Sequence, residues 1–183
     1  MAVGRDLIEK CKNGDQAAIR NLYEQSAGWM LGIGMRYLSD RNEAMSVVNA
    51  SILKALDGLK KYDSDRSESF EALLKTILIR KLLDYLKKEK RKRWDEELAE
   101  HHGEGIKNAG ISNSRRAELT SMIQSLPMKT ATVFNLFAIE GYKHVEIAKM
   151  LNITQGTSKW HLNEARKRLQ KMVVEWDRIK LVE

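Results

Sequence analysis

Proline occurs once in 183 residues, cysteine once, and aromatic side chains make up only 7% of the chain. So little proline and so few aromatics do not suit a turn-rich β architecture, and the composition favours helices. Cys11 has no second cysteine to pair with, which excludes an internal disulfide and fits a reducing compartment. It reads as a small buried side chain rather than a reactive thiol. No apolar run approaches the roughly 20 residues that a membrane helix needs, and the opening MAVGRDLIEKCKNGD has no signal-peptide core. The expectation is a cytoplasmic protein with no membrane insertion. What the chain does have is 43% hydrophobic and 31% charged residues, a formal charge of +7 and a pI near 9.4. It is a folded chain, long enough for one ordinary core or two small ones at about 150 residues per domain. Its excess of basic charge points to a polyanionic partner, because summed positive charge attracts phosphate at long range.

The first block, residues 1–93, is helical by spacing. Asp15 can cap a helix with Ala18, Ile19, Leu22 and Tyr23 turned inward, and Ser39 or Asp40 can cap the next. In that second helix Ala44, Val47, Val48, Ser51, Ile52, Ala55, Leu56 and Leu59 recur at steps of three and four and trace one stripe. A third begins near Glu68 and presents Phe70, Leu73, Leu74, Ile77, Leu78, Leu82, Tyr85 and Leu86. Three such stripes can close a bundle. The intervening KKYDSDRSES cannot sustain an apolar face and reads as a loop, the kind of segment in which function concentrates. The third helix runs into KKEKRKR, residues 87–93, with six basic side chains against Glu89; this is either a solvated helix end or a phosphate-binding patch.

Residues 94–111 change character. Asp95, Glu96, Glu97, Glu100 and Glu104 stand against Lys107, with three glycines and no apolar period, so an acidic flexible linker is expected between two small helical domains. His101 and His102 are adjacent, have no cysteine nearby and lack a regular ligand spacing; they make a poor metal site.

The second block, residues 112–183, holds the chain's one proline, Pro127, where a helix would start, and Gly141 where one would stop. His144 to Leu151 makes a short helix, Asn152 to Thr154 a turn, and Thr154 can cap a helix running to about Met172. Leu162, Ala165, Leu169 and Met172 are its buried stripe. Short helix, tight turn and longer helix form a helix-turn-helix pattern, whose second helix lies in the DNA major groove while the first braces it. Lys159, Arg166, Lys167, Arg168 and Lys171 against Glu164 make that second helix cationic, as a groove-binding helix should be. Trp160 lies two residues from Leu162, about 200° around a helix of 3.6 residues per turn, and so leaves the buried stripe. It can meet a thymine methyl, a protein partner, or the back of the bracing helix.

With both blocks in place, the sequence resembles the extracytoplasmic-function type of bacterial sigma-70-family initiation factor from about Asp6 to Met172. The segment LPMKTATVFNLFAIEGYKHVEIAKMLNITQGTSKWHLNEARKRLQ is similar to the family's region 4. GDQAAIRNLYE, AMSVVNASILKAL and SFEALLKTILIRKLLDYLKK are similar to region 2. The resemblance implies an all-α protein of two small helical domains, a region 2 bundle and a region 4 helix-turn-helix. It also implies a subunit that binds the clamp helices and flap of core RNA polymerase and grips promoter DNA at two points. Region 2 would trap unpaired minus-10 bases, and region 4 would read the minus-35 duplex. Carried onto this chain, the minus-35 set is Thr157, Ser158, Lys159, Trp160, His161, Asn163, Glu164, Arg166 and Lys167. The minus-10 set is Lys61, Tyr62, Asp63, Ser64, Arg66, Arg80, Asp84, Lys87 and Lys88, with Tyr62 the stacking candidate. The polymerase set is Val47, Val48, Asn49 and Ile52.

The chain departs from the family pattern in places. Ser46, Asn49 and Ala50 stand where acidic residues and Gln are usual on the clamp-binding helix, Arg80 where Asn is usual near the minus-10 pocket, Glu164 where Arg is common, and Ala131 where an Arg often meets the DNA backbone. Glu cannot donate to guanine, although it can accept from cytosine N4.

No nucleophile with a His partner, no phosphate-cradling Gly loop and no paired carboxylates stand out; the GIG at Gly32 to Gly34 falls inside a helix. Neither catalysis nor a cofactor is expected. Two other readings stay open: a DNA-binding regulator without polymerase contact, and a degenerate sigma-like protein that titrates polymerase or a sister factor. An anti-sigma factor is a further partner the resemblance allows. The tail VVEWDRIKLVE offers it a docking strip in Val173, Trp176 and Ile179, or else extends the last helix against its own domain. A monomer is the default for the free chain.

Overall fold

The computed structural model describes residues 3–62, 69–97 and 115–180, and all of its regular structure is helical. The chain divides into two compact units, Met1–Glu104 and Gly105–Glu183.

In the first unit α1 (Arg5–Lys12), α2 (Gln16–Tyr37), α3 (Arg41–Gly58) and α4 (Phe70–Glu97) enclose one core, and a 3-10 turn (Leu59–Lys61) follows α3. The starts of α2 and α3 are fixed by carboxylates. The Asp15 side chain accepts from the N–H groups of Ala17 at 2.9 Å and Ala18 at 3.1 Å, and that of Asp40 from Asn42 at 2.7 Å and Glu43 at 3.0 Å. Each satisfies amide donors that the first turn leaves unpaired. The α3 stripe is buried as its spacing requires, from Ala44 through Val48, Ile52 and Ala55 to Leu59, with Leu56 half-buried. Leu22 and Met30 from α2 meet Leu74, Leu78 and Leu82 from α4 in the same core, all of them without solvent exposure. Burying each such side chain stabilises the fold by about 1.5–3 kcal/mol. Gly34 lets α2 approach α3 closely: a Cβ there would stand 3.3 Å from the Cβ of Ala44.

Three features differ from the sequence reading. Helix α1 was not expected, and it contributes Ile8 and Cys11 to the core. Burial, with Asp15 nearby as a smaller cause, pushes the Cys11 thiol above its ordinary range, which suits an unreactive side chain. Ile79 is fully buried although it stands one residue off the α4 stripe. Helix α4 also continues through the basic run and four residues beyond Arg93, to Glu97. Most of the expected linker, including His101 and His102, lies outside the described residues, as do Asp63, Ser64 and Arg66.

In the second unit Pro127 precedes α6 (Met128–Phe134), which follows α5 (Arg115–Gln124) and runs into a π-helical turn (Asn135–Ile139). Gly141, at φ +81°, then ends the segment, a conformation that costs a residue without Cβ little. Helix α7 spans His144–Leu151, and the Glu146 carboxylate accepts from the Lys143 N–H at 2.7 Å at its start. At its end Asn152 takes the left-handed conformation, φ 52° and ψ 53°, which Asn tolerates better than most residues. Thr154 Oγ1 accepts from the Thr157 N–H at 3.0 Å and opens α8 (Gln155–Lys180), which runs past Met172 into the tail. Leu126, Val133, Leu136, Ile147, Leu162 and Ala165 form the apolar part of this core.

Candidate nucleic-acid interface

Helix α8 has an inner and an outer side set by its period. Ser158, Leu162 and Ala165 are buried and Leu169 half-buried, at steps of four, three and four. At about 100° per residue, Gly156, Trp160, Asn163 and Lys167 fall on the opposite side as one ridge, and all four are exposed. Lys159 and Arg166 flank this ridge on one edge and are exposed too. The outer side is therefore cationic, with an indole at its middle.

The interior side is held by hydrogen bonds that the sequence reading did not anticipate. Ser158 Oγ lies 2.8 Å from His144 Nδ1, and the His144 ring stacks on Phe137 with centroids 4.4 Å apart and planes 20° from parallel. His161 Nδ1 lies 3.0 Å from Thr130 Oγ1, which joins α8 to α6. Both imidazoles are held below their ordinary pKa. For His144 the cause is first burial, then the charges of Lys159 and Arg166; for His161 it is burial and then Lys129. Ser158 and His161, both in the expected minus-35 set, are thus turned into the unit rather than outward. Thr157 is half-buried at the cap, its Oγ1 2.9 Å from that of Thr154. Glu164 is half-buried and accepts from Arg168 Nε at 2.6 Å, one helical turn on. Of the nine residues expected there, Lys159, Trp160, Asn163, Arg166 and Lys167 are exposed on α8.

In the first unit Arg80, Asp84, Lys87 and Lys88 recur at steps of four, three and one, share a face of α4, and are exposed. Asp84, Lys87 and Lys88, with Lys81 and Tyr85, line a groove whose other wall is Ser46, Val47 and Ala50 of α3. Lys61 is exposed; Tyr62 is half-buried and meets Phe70 edge-on, ring centroids 5.3 Å apart at 74°. One side of the stacking candidate is therefore engaged with the core. Of the expected polymerase set, Val47, Val48 and Ile52 belong to the core and only Asn49 is exposed. Asn49 Oδ1 accepts from the Tyr23 hydroxyl at 3.0 Å. These two residues line a second groove with Ile19, Ile52, Leu53 and Leu56. Leu53, 62% exposed, was missed; its signal in the sequence is that it falls about 150° from the centre of the α3 stripe at about 100° per residue.

Comparison with known proteins places both units. The family model described as sigma-70 region 2 matches residues 22–92, and that described as sigma-70, region 4 matches residues 116–169. The ECF RNA polymerase sigma factor SigW of Bacillus subtilis is 25% identical over 178 residues, covering 91% of this chain and 94% of its own. The RNA polymerase sigma-H factor of Pseudomonas aeruginosa is 24% identical, covering 91% and 92%. Among solved structures, the sigma factor RpoE of Bartonella quintana, in complex with the anti-sigma factor NepR, superposes with a TM-score of 0.55 at 18% identity, over 84% of this chain and 95% of that one. That likeness carries the fold.

Proposed function

Since the chain belongs to the extracytoplasmic-function type of the sigma-70 family, we propose that it works as the promoter-recognition subunit of a bacterial RNA polymerase. It binds the core enzyme, directs it to promoters and takes part in initiation, with no catalysis of its own. The observation that carries this reading is the exposed cationic side of α8, on a helix-turn-helix, in a chain whose first unit matches region 2.

The division of labour follows from physical chemistry. A helix can enter the major groove of a duplex and read its edges, whereas a melted strand needs positive charge and surfaces for unstacked bases. We assign residues 112–183 to the minus-35 duplex and to the polymerase flap. On α8, Lys159, Trp160, Asn163, Arg166 and Lys167 supply the contacts, while Ser158 and His161 position the helix. Residues 1–93 take the clamp helices and the minus-10 strand, with Lys61, Tyr62, Arg80, Asp84, Lys87 and Lys88 as its contacts, joined by Asp63, Ser64 and Arg66, which lie outside the described residues. Residues 94–111 connect the two. For the clamp, exposed Tyr23, Asn49 and Leu53 are better suited than the buried Val47, Val48 and Ile52. The protein acts where the polymerase is, in the cytoplasm, and the RpoE–NepR complex supports an anti-sigma partner for this chain as well.

The test is run-off transcription with purified bacterial core polymerase and a promoter selected by the reconstituted holoenzyme. Initiation that depends on the added chain is expected. Failure of the chain to co-migrate with core polymerase would overturn the proposal. One observation favours a second reading, a sigma-like protein that titrates polymerase: Ser46 and Ala50 replace the family's usual polar and acidic positions and share a groove with Lys81, Lys87 and Lys88. Polymerase binding without initiation is the result that reading predicts.

A further inference from the structure

Trp160 is 60% exposed and stands on the outer ridge of α8, four residues after Gly156 and three before Asn163. Its ring meets that of its neighbour His161 edge-on, with centroids 4.9 Å apart, so most of the indole face is left to solvent. That exposure sets aside packing on the back of the bracing helix as the reason for a tryptophan here. Lys159 and Lys167 bracket it with positive charge, which fits a polyanionic surface and does not fit an apolar one. Gly156, without a side chain, keeps the ridge low at the start of the helix.

Of the base edges in the major groove, thymine alone presents an apolar group, the C5-methyl. An indole offers its ring face and one N–H donor, and no acceptor; against guanine, cytosine or adenine its face would cover polar atoms without pairing them. Asn163 lies about 4.5 Å further along the axis at 1.5 Å per residue, near one base-pair step, and its amide can pair with adenine N6 and N7.

Resting on the reading of α8 as the minus-35 helix, we propose that the Trp160 indole reads a thymine methyl in the upstream promoter element, and so makes thymine at that position a determinant of specificity peculiar to this chain. The contact forms only in the docked complex. It adds discrimination without adding a phosphate contact, so it changes which sequence is chosen rather than how binding responds to salt.

The experiment uses the full chain bound to core polymerase. A random duplex library is selected first, and each enriched thymine of the upstream element is then replaced by deoxyuridine, which removes the methyl and nothing else. At one position the swap should weaken holoenzyme binding about fourfold, the size expected for one methyl leaving an apolar contact. With Trp160→Ala the same swap should have no effect, and selection should lose that thymine while keeping the rest of the element. Lys167→Ala serves as the separate check on the underlying reading: it should weaken binding to all sequences and flatten the salt dependence. If Lys167→Ala acts but no deoxyuridine swap matters, or if Trp160→Ala remains as sensitive as the parent, the thymine contact is wrong and the minus-35 assignment stands. If Lys167→Ala leaves binding and salt slope unchanged, both fall. If Trp160→Ala leaves selection intact and weakens binding to core polymerase, the indole is a protein contact and the proposal is overturned.

Discussion

The two units bury different chemistry. The interior of the first is built from large apolar side chains such as Leu22, Met30, Val48, Phe70, Leu74, Leu78 and Leu82. The smaller second interior includes Thr130, Thr132, Asn135 and Ser158; the His144–Ser158 contact joins the two helices of its helix-turn-helix, and His161–Thr130 ties α8 to α6. The first unit is thus held mainly by a non-directional force that scales with area. The second relies in addition on hydrogen bonds of fixed geometry between neutral groups. Such bonds orient a reading helix more sharply than apolar contact does, and they make that orientation depend on protonation.

The contrast can be tested in steps of decreasing size. Leu74→Ala removes a side chain with no exposure from the first core and should lower the stability of that unit by about 2–5 kcal/mol in denaturant unfolding. Ser158→Ala should cost the second unit about 1–3 kcal/mol, because it leaves the His144 ring nitrogen without its partner. A drop no larger than that of an exposed Ser→Ala would show that the hydrogen bond does not matter.

Acid should also separate the two units. Both His144 and His161 have folded-state pKa values below the ordinary 6.5, so the unfolded chain takes up protons first as pH falls. The second unit's stability is therefore complete above about pH 6.5 and declines below it. Residues 3–97 contain no histidine, so amide NMR signals of the first unit should persist unchanged between pH 7 and 5.5 while those of the second weaken. Caps, by contrast, are local: Asp40→Ala and Thr154→Ala should each cost about 1 kcal/mol, with no preference for either unit. The smallest change is at Glu164. Replacing it by Arg removes its pairing with Arg168 and should steepen the salt dependence of duplex binding by about 0.9 in log-log slope per added phosphate contact. An unchanged slope would count against a DNA-facing position for residue 164.

Much of this was legible in the sequence because helix period and caps are local. The bounds of α7, the caps at Asp15, Asp40 and Thr154, and the stripes of α3 and α8 follow from spacing alone. What stands opposite a side chain is not local, and there the reading fell short. Ser158 sits four residues before Leu162, on the buried stripe, yet a polar residue there gives no apolar signal until its partner His144 is known. His161 occupies the edge of the same stripe, and only the approach of α6 turns it inward. Val47, Val48 and Ile52 are buried on the α3 stripe, as their spacing requires, and the exposed apolar side chain of that helix is the out-of-phase Leu53. Helix α1 places Leu7, Ile8 and Cys11 on one face, but it spans only eight residues and begins after Gly4 with no side-chain cap, so its start carries no local signal without the core that receives Ile8 and Cys11.

The central claim is that one unit holds opened strand while the other holds duplex, and that both act only through the polymerase. Footprinting of the selected promoter, combined with permanganate reactivity of its thymines, measures this directly. With chain and core polymerase together, protection of the upstream duplex and reactive downstream thymines should appear in the same complex. Either signal arising in full from the chain without polymerase, or upstream protection with no opened thymines under initiation conditions, would contradict the account.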